Sequence, residues 1–481
     1  MDEFLGDAYT IINPYTFLVA DYLAKSAGLS FSPSRIYYIP SHIRKDTVAD
    51  GSDIQDRLVN LINVPDINLR SNLYTTEDFL DSLQVSKNYM ADQNLYIRER
   101  IFDMWIGDWN KMNENWEWQS HTVNDSVIYT PIVIDRNHAF TKVDGVLFKQ
   151  MLKMLSLDFI CNYDSLILKD TKKINKLAFA LDMAVAGRSD ESVWIRQAQE
   201  IRKQMTDSLI DSAFTYLPEG VKHDEIELIK QKLKRRRLEL EAVASQYYRL
   251  LQRTPVVAGT NQSDYFLIER QAPDRTILRI YDPETGDCRL EQQFSGKETK
   301  ELWLYGLAGN DTFEVKGNTR KDFPIYLISG EGENQYQLNH SRKIHVYDKD
   351  YKYDYQKIKY HKISFTPWGI YDSDKGISLG TFFTYTMYGF KRAPFTYQHR
   401  IGYNYLKGFM YAGVFPNYDG RRRLYLNASI SSPRNFENFF GFGNNTAGYK
   451  EEKKNYNRVK LRTYMFCLLY TSPSPRDKRQ S

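Results

Sequence analysis

The sequence predicts an α+β chain in three parts. Residues 1–254 read as mostly helical, 255–340 as a small β domain, and 376–466 as an antiparallel sheet reached through a connector at 341–375. Three observations predict this order. Apolar residues recur at helical spacing before Pro255, short β-rich runs punctuated by Asp, Gly and Pro follow, and from Gly376 five consecutive segments alternate apolar and polar.

The alternating segments are the strongest signal. Ile377, Leu379, Thr381, Phe383, Tyr385 and Met387 oppose Ser378, Gly380, Phe382, Thr384, Thr386 and Tyr388. Phe395, Tyr397, His399, Ile401, Tyr403 and Tyr405 do the same against Thr396, Gln398, Arg400, Gly402 and Asn404. Phe409 to Phe415, Leu424 to Ser431 and Arg458 to Met465 complete the set. Successive strand side chains point to opposite faces, so each segment has an oily and a wet side. Aromatic-rich segments of roughly ten residues with this pattern fit the wall of a transmembrane β-barrel. Arg458, Lys460 and Arg462, consecutive on one face of the last segment, suit a water-filled lumen. A soluble antiparallel sandwich shows the same alternation and is the competing fold.

These residues also carry a resemblance. Tyr388-Gly389-Phe390-Lys391-Arg392-Ala393-Pro394 and Asn438-Phe439-Phe440-Gly441-Phe442-Gly443-Asn444-Asn445-Thr446 resemble the opening strands and turn of BamA/TamA-type bacterial surface-antigen barrels over Gly376 to Phe466. The resemblance implies the outer membrane of a diderm bacterium, with lipid as partner and the soluble part in the periplasm. It does not imply insertion of other barrels.

Composition excludes more than it assigns. Sixty-five basic and 60 acidic residues leave a net charge of only +5, which argues for no nucleic-acid partner. Cys467 to Ser481 resembles one reading frame of a sequencing-library adapter and is set outside the expected fold; a flexible polar tail is the alternative. Its three basic side chains and one acid account for two of the five net charges. Met1 to Phe4 shows no signal peptide, so the expectation is that an export signal precedes it. Cys161 and Cys288, the other cysteines, are too far apart in sequence to suggest a disulfide framework or a zinc site.

In chain order, Pro14 to Ala27 is a first helix with Phe17, Ala20, Leu23 and Ala24 on one face, and Arg35 to Ile39 is extended. Thr75 offers an N-cap before Phe79, Leu80 and Leu83. Ala91 to Gly107 is a helix with a stripe at Leu95, Ile101, Phe102 and Trp105, and Val146 to Leu155, Ser192 to Leu217 and Asp224 to Arg253 follow. The last carries Lys230, Lys232 and the run Lys234 to Arg237, a candidate for nucleic acid or anionic lipid, but nearby glutamates favour a solvated face. Ser263 to Arg270, Thr276 to Tyr281, Glu301 to Tyr305 and Pro324 to Ser329 read as short strands.

Two passages look chemical. Gly107-Asp108-Trp109-Asn110-Lys111-Met112-Asn113-Glu114-Asn115-Trp116 and Asp135-Arg136-Asn137-His138-Ala139-Phe140 resemble the GDWDRHxxQW and DRDQAF blocks of exported bacterial proteins. Those proteins are often fused to surface-antigen barrels and to a metallophosphoesterase. The blocks are in turn similar to the catalytic and metal-binding loops of HipA-type and secreted kinases, which implies a kinase-C-lobe-like helical domain. By position, Asn110 falls in the base slot and Asn115 and Asp135 in the two slots that would hold Mg²⁺ on a nucleotide. An amide cannot take a proton at neutral pH, so Asn110 removes a contribution of about 10²–10⁴ in rate. Asp108 is a candidate to stand in, but a displacement of two residues usually points a side chain elsewhere.

The second passage, Gly306-Leu307-Ala308-Gly309-Asn310-Asp311-Thr312-Phe313, fits the calcium β-roll pattern GGxGxDxU except at its second glycine, and Ser329 to Tyr336 is a looser echo. Asp311 would supply an oxygen ligand to Ca²⁺, and ordinary turns between strands are the preferred alternative. No HExxH, P-loop or CxxC occurs.

The expectation is therefore a fragment of an outer-membrane surface-antigen barrel protein with a degenerate kinase-like domain and a role in the cell envelope, its protein partners open. An enzyme of phosphate chemistry, with its nucleotide lobe or catalytic domain upstream of Met1, is the alternative.

Overall fold

The computed structural model describes residues 14–30, 34–41, 56–62, 72–143, 145–155, 157–221, 223–317, 322–338, 343–347, 353–359, 361–372, 375–389, 392, 394–417, 422–439 and 458–471. Phe440 to Thr446 of the quoted turn motif, Phe390, Lys391, Ala393, Met1 to Phe4 and the tail after Thr471 lie outside them. The chain forms two compact units, Met1–Tyr355 and Gln356–Ser481.

The first unit opens with helix α1 (Thr16–Ser26) and a two-stranded ribbon of β1 (Ser34–Ile39) and β2 (Arg57–Ile62). β3 (Leu73–Tyr74), α2 (Thr76–Val85), β4 (Tyr89–Ala91) and α3 (Gln93–Ile106) follow. Thr75 caps α2 by accepting the Asp78 N–H at 3.1 Å, and Asp92 caps α3 by accepting that of Leu95 at 3.0 Å. Gly107, at φ +79°, ends α3 in the left-handed conformation that glycine adopts at least cost. The apolar stripe expected on α3 understates it. Ten of its residues, Glu99, Arg100 and Asp103 among them, are buried.

The first half, expected to be mostly helical, also carries a sheet that the sequence reading did not place. The hairpin of β5 (Trp116–Val123) and β6 (Ser126–Val133) joins β3 and β4 in a four-stranded sheet ordered β3-β5-β6-β4. Phe79 stacks on Trp118 with centroids 3.7 Å apart, tying α2 to this sheet. Next come α4 (Val146–Met154), α5 (Thr171–Ile174) and α6 (Phe179–Ala186).

Two long helices expected from the pattern are each broken. Ser192 to Leu217 is α7 (Glu191–Gln204) and α8 (Asp207–Ala213), because Thr206 turns to cap α8, accepting the Leu209 N–H at 3.2 Å. Asp224 to Arg253 is α9 (His223–Arg237) and α10 (Leu240–Leu251). Near that break Arg236 turns inward, donating to Met104 O at 2.6 Å and lying 4.2 Å from the Tyr163 ring. Lys234 and Arg237 pair at the surface with Asp211 and Asp207, and Arg235 is exposed, so most of the basic run lies on a solvated, partly neutralised face.

Beyond Pro255 the chain winds as a short two-sheet coil. β7 (Val256–Ala258) leads to β8 (Tyr265–Gln271), and β11 (Leu302–Tyr305) to β12 (Thr312–Gly317). β13 (Ile325–Ile328) leads to β14 (Gln335–Leu338), and β15 (Ile344–Tyr347) follows. The first strand of each pair adds in parallel to a sheet ordered β15-β13-β11-β7, the second to one ordered β10-β9-β8-β12-β14. The hairpin β9 (Arg275–Tyr281) and β10 (Cys288–Ser295) is inserted after the first rung. Val257, Phe266, Phe313, Leu304 and Leu327 fill the space between the sheets.

The corner turns of this coil are the glycine-rich segments, stacked instead of independent. Phe266, Phe313 and Tyr336 stack in a column with centroid separations of 4.6 and 5.7 Å. The copies Gly306–Phe313 and Ser329–Tyr336 lie one rung apart, and Gly259 to Phe266 is a third that the motif search missed. Leu307 carries φ +77° where the pattern calls for glycine; Gly330, its counterpart, has φ +75°. A β-carbon at Gly332 would overlap Gly309 O.

The second unit is an open antiparallel sheet ordered β16-β17-β18-β19-β20-β23. Its strands are β16 (Lys362–Asp372), β17 (Gly376–Met387), β18 (Tyr397–Asn404), β19 (Gly408–Pro416), β20 (Arg423–Ile430) and, after the small ribbon of β21 (Phe436–Asn438) and β22 (Arg458–Lys460), β23 (Tyr464–Thr471). β16 falls where a connector was expected, and Pro367 within it fits a strand paired on one side only. The segment Arg458 to Met465 is not one strand. Arg458 and Lys460 sit in the ribbon and the sheet strand starts at Tyr464, so the expected row of three cations on one strand face does not form. β23 also runs across the boundary expected at Cys467.

Phe365, Phe383, Ile401, Tyr411, Ala428 and Phe466 share one register row. On that face Ile363, Ile377 and Phe466 are 75 %, 74 % and 71 % exposed, so among the described residues no layer covers it.

Leu307→Gly should raise the stability of the coil by about 1 kcal/mol, because it relieves a left-handed conformation that costs a branched residue about that much. Gly332→Ala should lower it by more. Both are read as shifts in the denaturant midpoint of the full chain.

Candidate functional site

The pairing of β5 with β6 assembles the first candidate site. Trp116 faces Val133, so Asn115 and Asp135 lie just past the same end of the hairpin, and Ile134 donates its N–H to Asn115 O at 3.0 Å. The two sequence blocks are therefore neighbours, as their resemblance implies. Their side chains do different work. Asn115 is buried and its Oδ1 accepts the Met112 N–H at 2.9 Å, closing a turn. Asp135 accepts the Asn137 N–H at 3.3 Å through Oδ1. Asn110, half-buried, donates its backbone N–H to Asp108 Oδ1 at 3.2 Å.

Lys111 is the residue that decides the electrostatics. It is fully buried, its ammonium bonded to Asp108 Oδ2 and to Asp135 O at 3.1 Å, with Asp103 Oδ1 at 3.9 Å. Burial pushes the Asp108 carboxyl above its ordinary range, with the Lys111 ammonium pulling the other way. A carboxylate held by a buried ammonium is not free to act as a base.

Behind this pair runs a buried charge network. Arg136 bonds Glu99, Asp103 Oδ1 at 3.2 Å and Ser30 O at 2.8 Å. Glu99 also accepts the Ser30 N–H at 2.8 Å, and burial raises its carboxyl above the usual range. Arg100 reaches Asp182 at 2.8 Å and Asn175 at 2.6 Å, and the Tyr96 and Tyr247 hydroxyls donate to Asp182 at 2.7 and 2.5 Å. Sequence reasoning missed Glu99, Arg100, Asp103 and Asp182. The available signal was a helix carrying charge on the same turns as Phe102 and Trp105, which cannot all face water.

At the second candidate site the aspartates form a ladder along the coil corner. Asp264 donates its N–H to Asp311 Oδ1 at 2.9 Å, and Asp311 its N–H to Asn334 Oδ1 at 3.0 Å. Asp311 is fully buried and its Oδ2 has no hydrogen-bond partner, turned against Gly306. The carboxyl expected to meet Ca²⁺ is thus used inside the rung. Burial raises its pKa from 3.8 to about 8. Among the described residues no group of three or more His, Cys, Asp or Glu is placed to hold a metal.

No family model matches this sequence, and no curated protein matches it. Among solved structures, the proinflammatory kinase CtkA of Helicobacter pylori is similar over 49 % of this chain and 86 % of its own, at 15 % identity and a TM-score of 0.29.

Lys111→Met should cost about 3–5 kcal/mol of stability, since it strands a buried carboxylate, and Asp108→Asn added to it should recover part of the loss. Asp311 behaves with the opposite dependence to a surface acid. Its folded-state pKa lies above the unfolded one, so its contribution is fully present below about pH 4 and is lost as pH rises through about 8. Asp311→Asn, the residue type already present at position 334, should therefore melt higher than the parent at pH 8.5, with the difference closing toward pH 4.

Proposed function

We propose that this chain belongs to an outer-membrane protein of the bacterial cell envelope. In this reading Gln356–Ser481 contributes strands to a membrane-spanning β-wall, and Met1–Tyr355 is a kinase-like domain that has lost catalysis and serves as a binding or scaffold module. The observation that carries the membrane half is the oily face of the second unit, continuous across its six paired strands and left open to its surroundings. A water-soluble sheet gives such a face to a second layer. β16 and β17, with 11 and 12 residues, also have the length a tilted strand needs to cross a bilayer.

Three features support loss of phosphotransfer. The base slot holds Asn110, the neighbouring acid Asp108 is held by Lys111, and Oδ1 of Asn115 and Oδ1 of Asp135 each accept a backbone N–H of their own turn.

Phase separation of the full chain in a cloud-point detergent should place it in the detergent-rich phase. Recovery in the aqueous phase, soluble without detergent, would overturn the membrane reading. Calorimetry with ATP and Mg²⁺ should give no binding heat; saturable, Mg²⁺-dependent binding would restore the enzyme reading.

A further inference from the structure

The antiparallel pairing fixes which connections share an end of the sheet. Asp372 pairs with Gly376, Asn404 with Gly408 and Ile430 with Tyr464, so the turns after β16 and β18 and the long connection after β20 all emerge at one end. The oily face finishes there in rings, with Tyr403, Phe409 and Tyr464 all exposed and Tyr403 and Phe409 4.7 Å apart. Tyr405, just beyond the last pair of β18, is exposed as well.

Immediately past those rings come cations. Lys407 lies in the tight turn, Arg434 follows β20, Lys460 ends the ribbon and Arg462 leads into β23; all four are exposed. The Arg434 guanidinium sits 4.2 Å from the Tyr405 ring centroid, which puts it on the oily side of the sheet. Among the described residues none of the four has an acidic partner. Lys375, at the same end, differs, since Glu437 neutralises it at 2.8 Å.

We propose that this end of the sheet is a lipid-headgroup rim, in which Lys407, Arg434, Lys460 and Arg462 engage the phosphates of anionic lipids while the adjacent rings lie at the membrane interface. The inference rests on the membrane reading above and adds the lipid chemistry to it. An oily band alone is satisfied by acyl chains of any lipid. Among the described residues the exposed cations just beyond its aromatic border meet no acid, and the negative charge a membrane offers at that depth is the phosphate of a headgroup. Stacking on a ring holds a guanidinium in place without neutralising it.

The full chain, refolded and mixed with vesicles of phosphatidylcholine alone or with one third phosphatidylglycerol, tests this by flotation. Several-fold more protein should float with the anionic vesicles at 50 mM salt, and the excess should vanish at 500 mM. The variant carrying Lys407→Gln, Arg434→Gln, Lys460→Gln and Arg462→Gln should float on phosphatidylcholine as the parent does but lose the anionic excess. Four changes on the first unit, Lys142→Gln, Lys203→Gln, Lys297→Gln and Lys316→Gln, should keep it. Equal flotation of the parent on both vesicle types, or an excess the rim variant retains, overturns the rim and leaves the membrane reading standing. Absence of flotation on either lipid overturns both.

Discussion

A strand sends successive side chains to opposite faces, so a sheet with one continuous oily face must give that face to something other than water. Every other feature of Gln356–Ser481 follows from this constraint. The register keeps Phe365, Phe383, Ile401, Tyr411, Ala428 and Phe466 in line, and a shift of one residue in any strand would send its oily set to the wet side. The wet side holds together by polar contacts instead. Ser378 donates to Asn404 at 2.6 Å, Gln398 to Thr386 at 2.9 Å and Arg400 to Thr384 at 3.2 Å, each across a strand pair. Such a sheet has its internal order set by cross-strand pairs without a core of its own.

In Met1–Tyr355 charge lies where hydrophobic packing is usual. Helix α3 is buried nearly all round, and its Glu99, Arg100 and Asp103 survive burial only because Arg136, Asp182 and Lys111 answer them. A network of this kind contributes little net stability compared with apolar residues of the same volume, but removing one member leaves an unpaired charge inside the fold. It therefore fixes geometry more than it adds stability. That geometry ties α3 to the loop after β6 and to α6.

The sequence reading was strongest where a pattern is local and weakest where tertiary contacts override it. The α2 cap, the span of α3 and the strands β8, β9, β11 and β13 were legible because Thr75, the apolar stripe of α3 and the Gly and Asp residues between strands act within a few residues. The breaks after Gln204 and Arg237 were not, since helical spacing continues through both and only Thr206 as a cap and Arg236 as an inward guanidinium reveal them. β16 was hidden because Pro367 and Gly369 interrupt its alternation. The stacking of the glycine turns was hidden because the inserted hairpin separates the first copy from the second by 47 residues, while the second and third lie 23 apart. In the candidate site the sequence could not show that Asn115 Oδ1 and Asp135 Oδ1 would each accept an N–H of their own turns, nor that Lys111 would bind Asp108.

The charged residues of the Gly107–Trp116 block are linked by physics and not only by position. Asn110 carries no charge, and Lys111 one residue later enters the interior. Once inside, its ammonium meets Asp108, the Asp135 carbonyl and Asp103, and supplies the positive charge that this concentration of acid demands. The buried carboxylates are thereby answered by a cation from the chain itself. The acids of the block then persist for a structural reason. Asp108 and Asp103 are held in place by the ion pairs they share with Lys111 and Arg136, so replacing either acid disturbs the interior whatever chemistry the block performs.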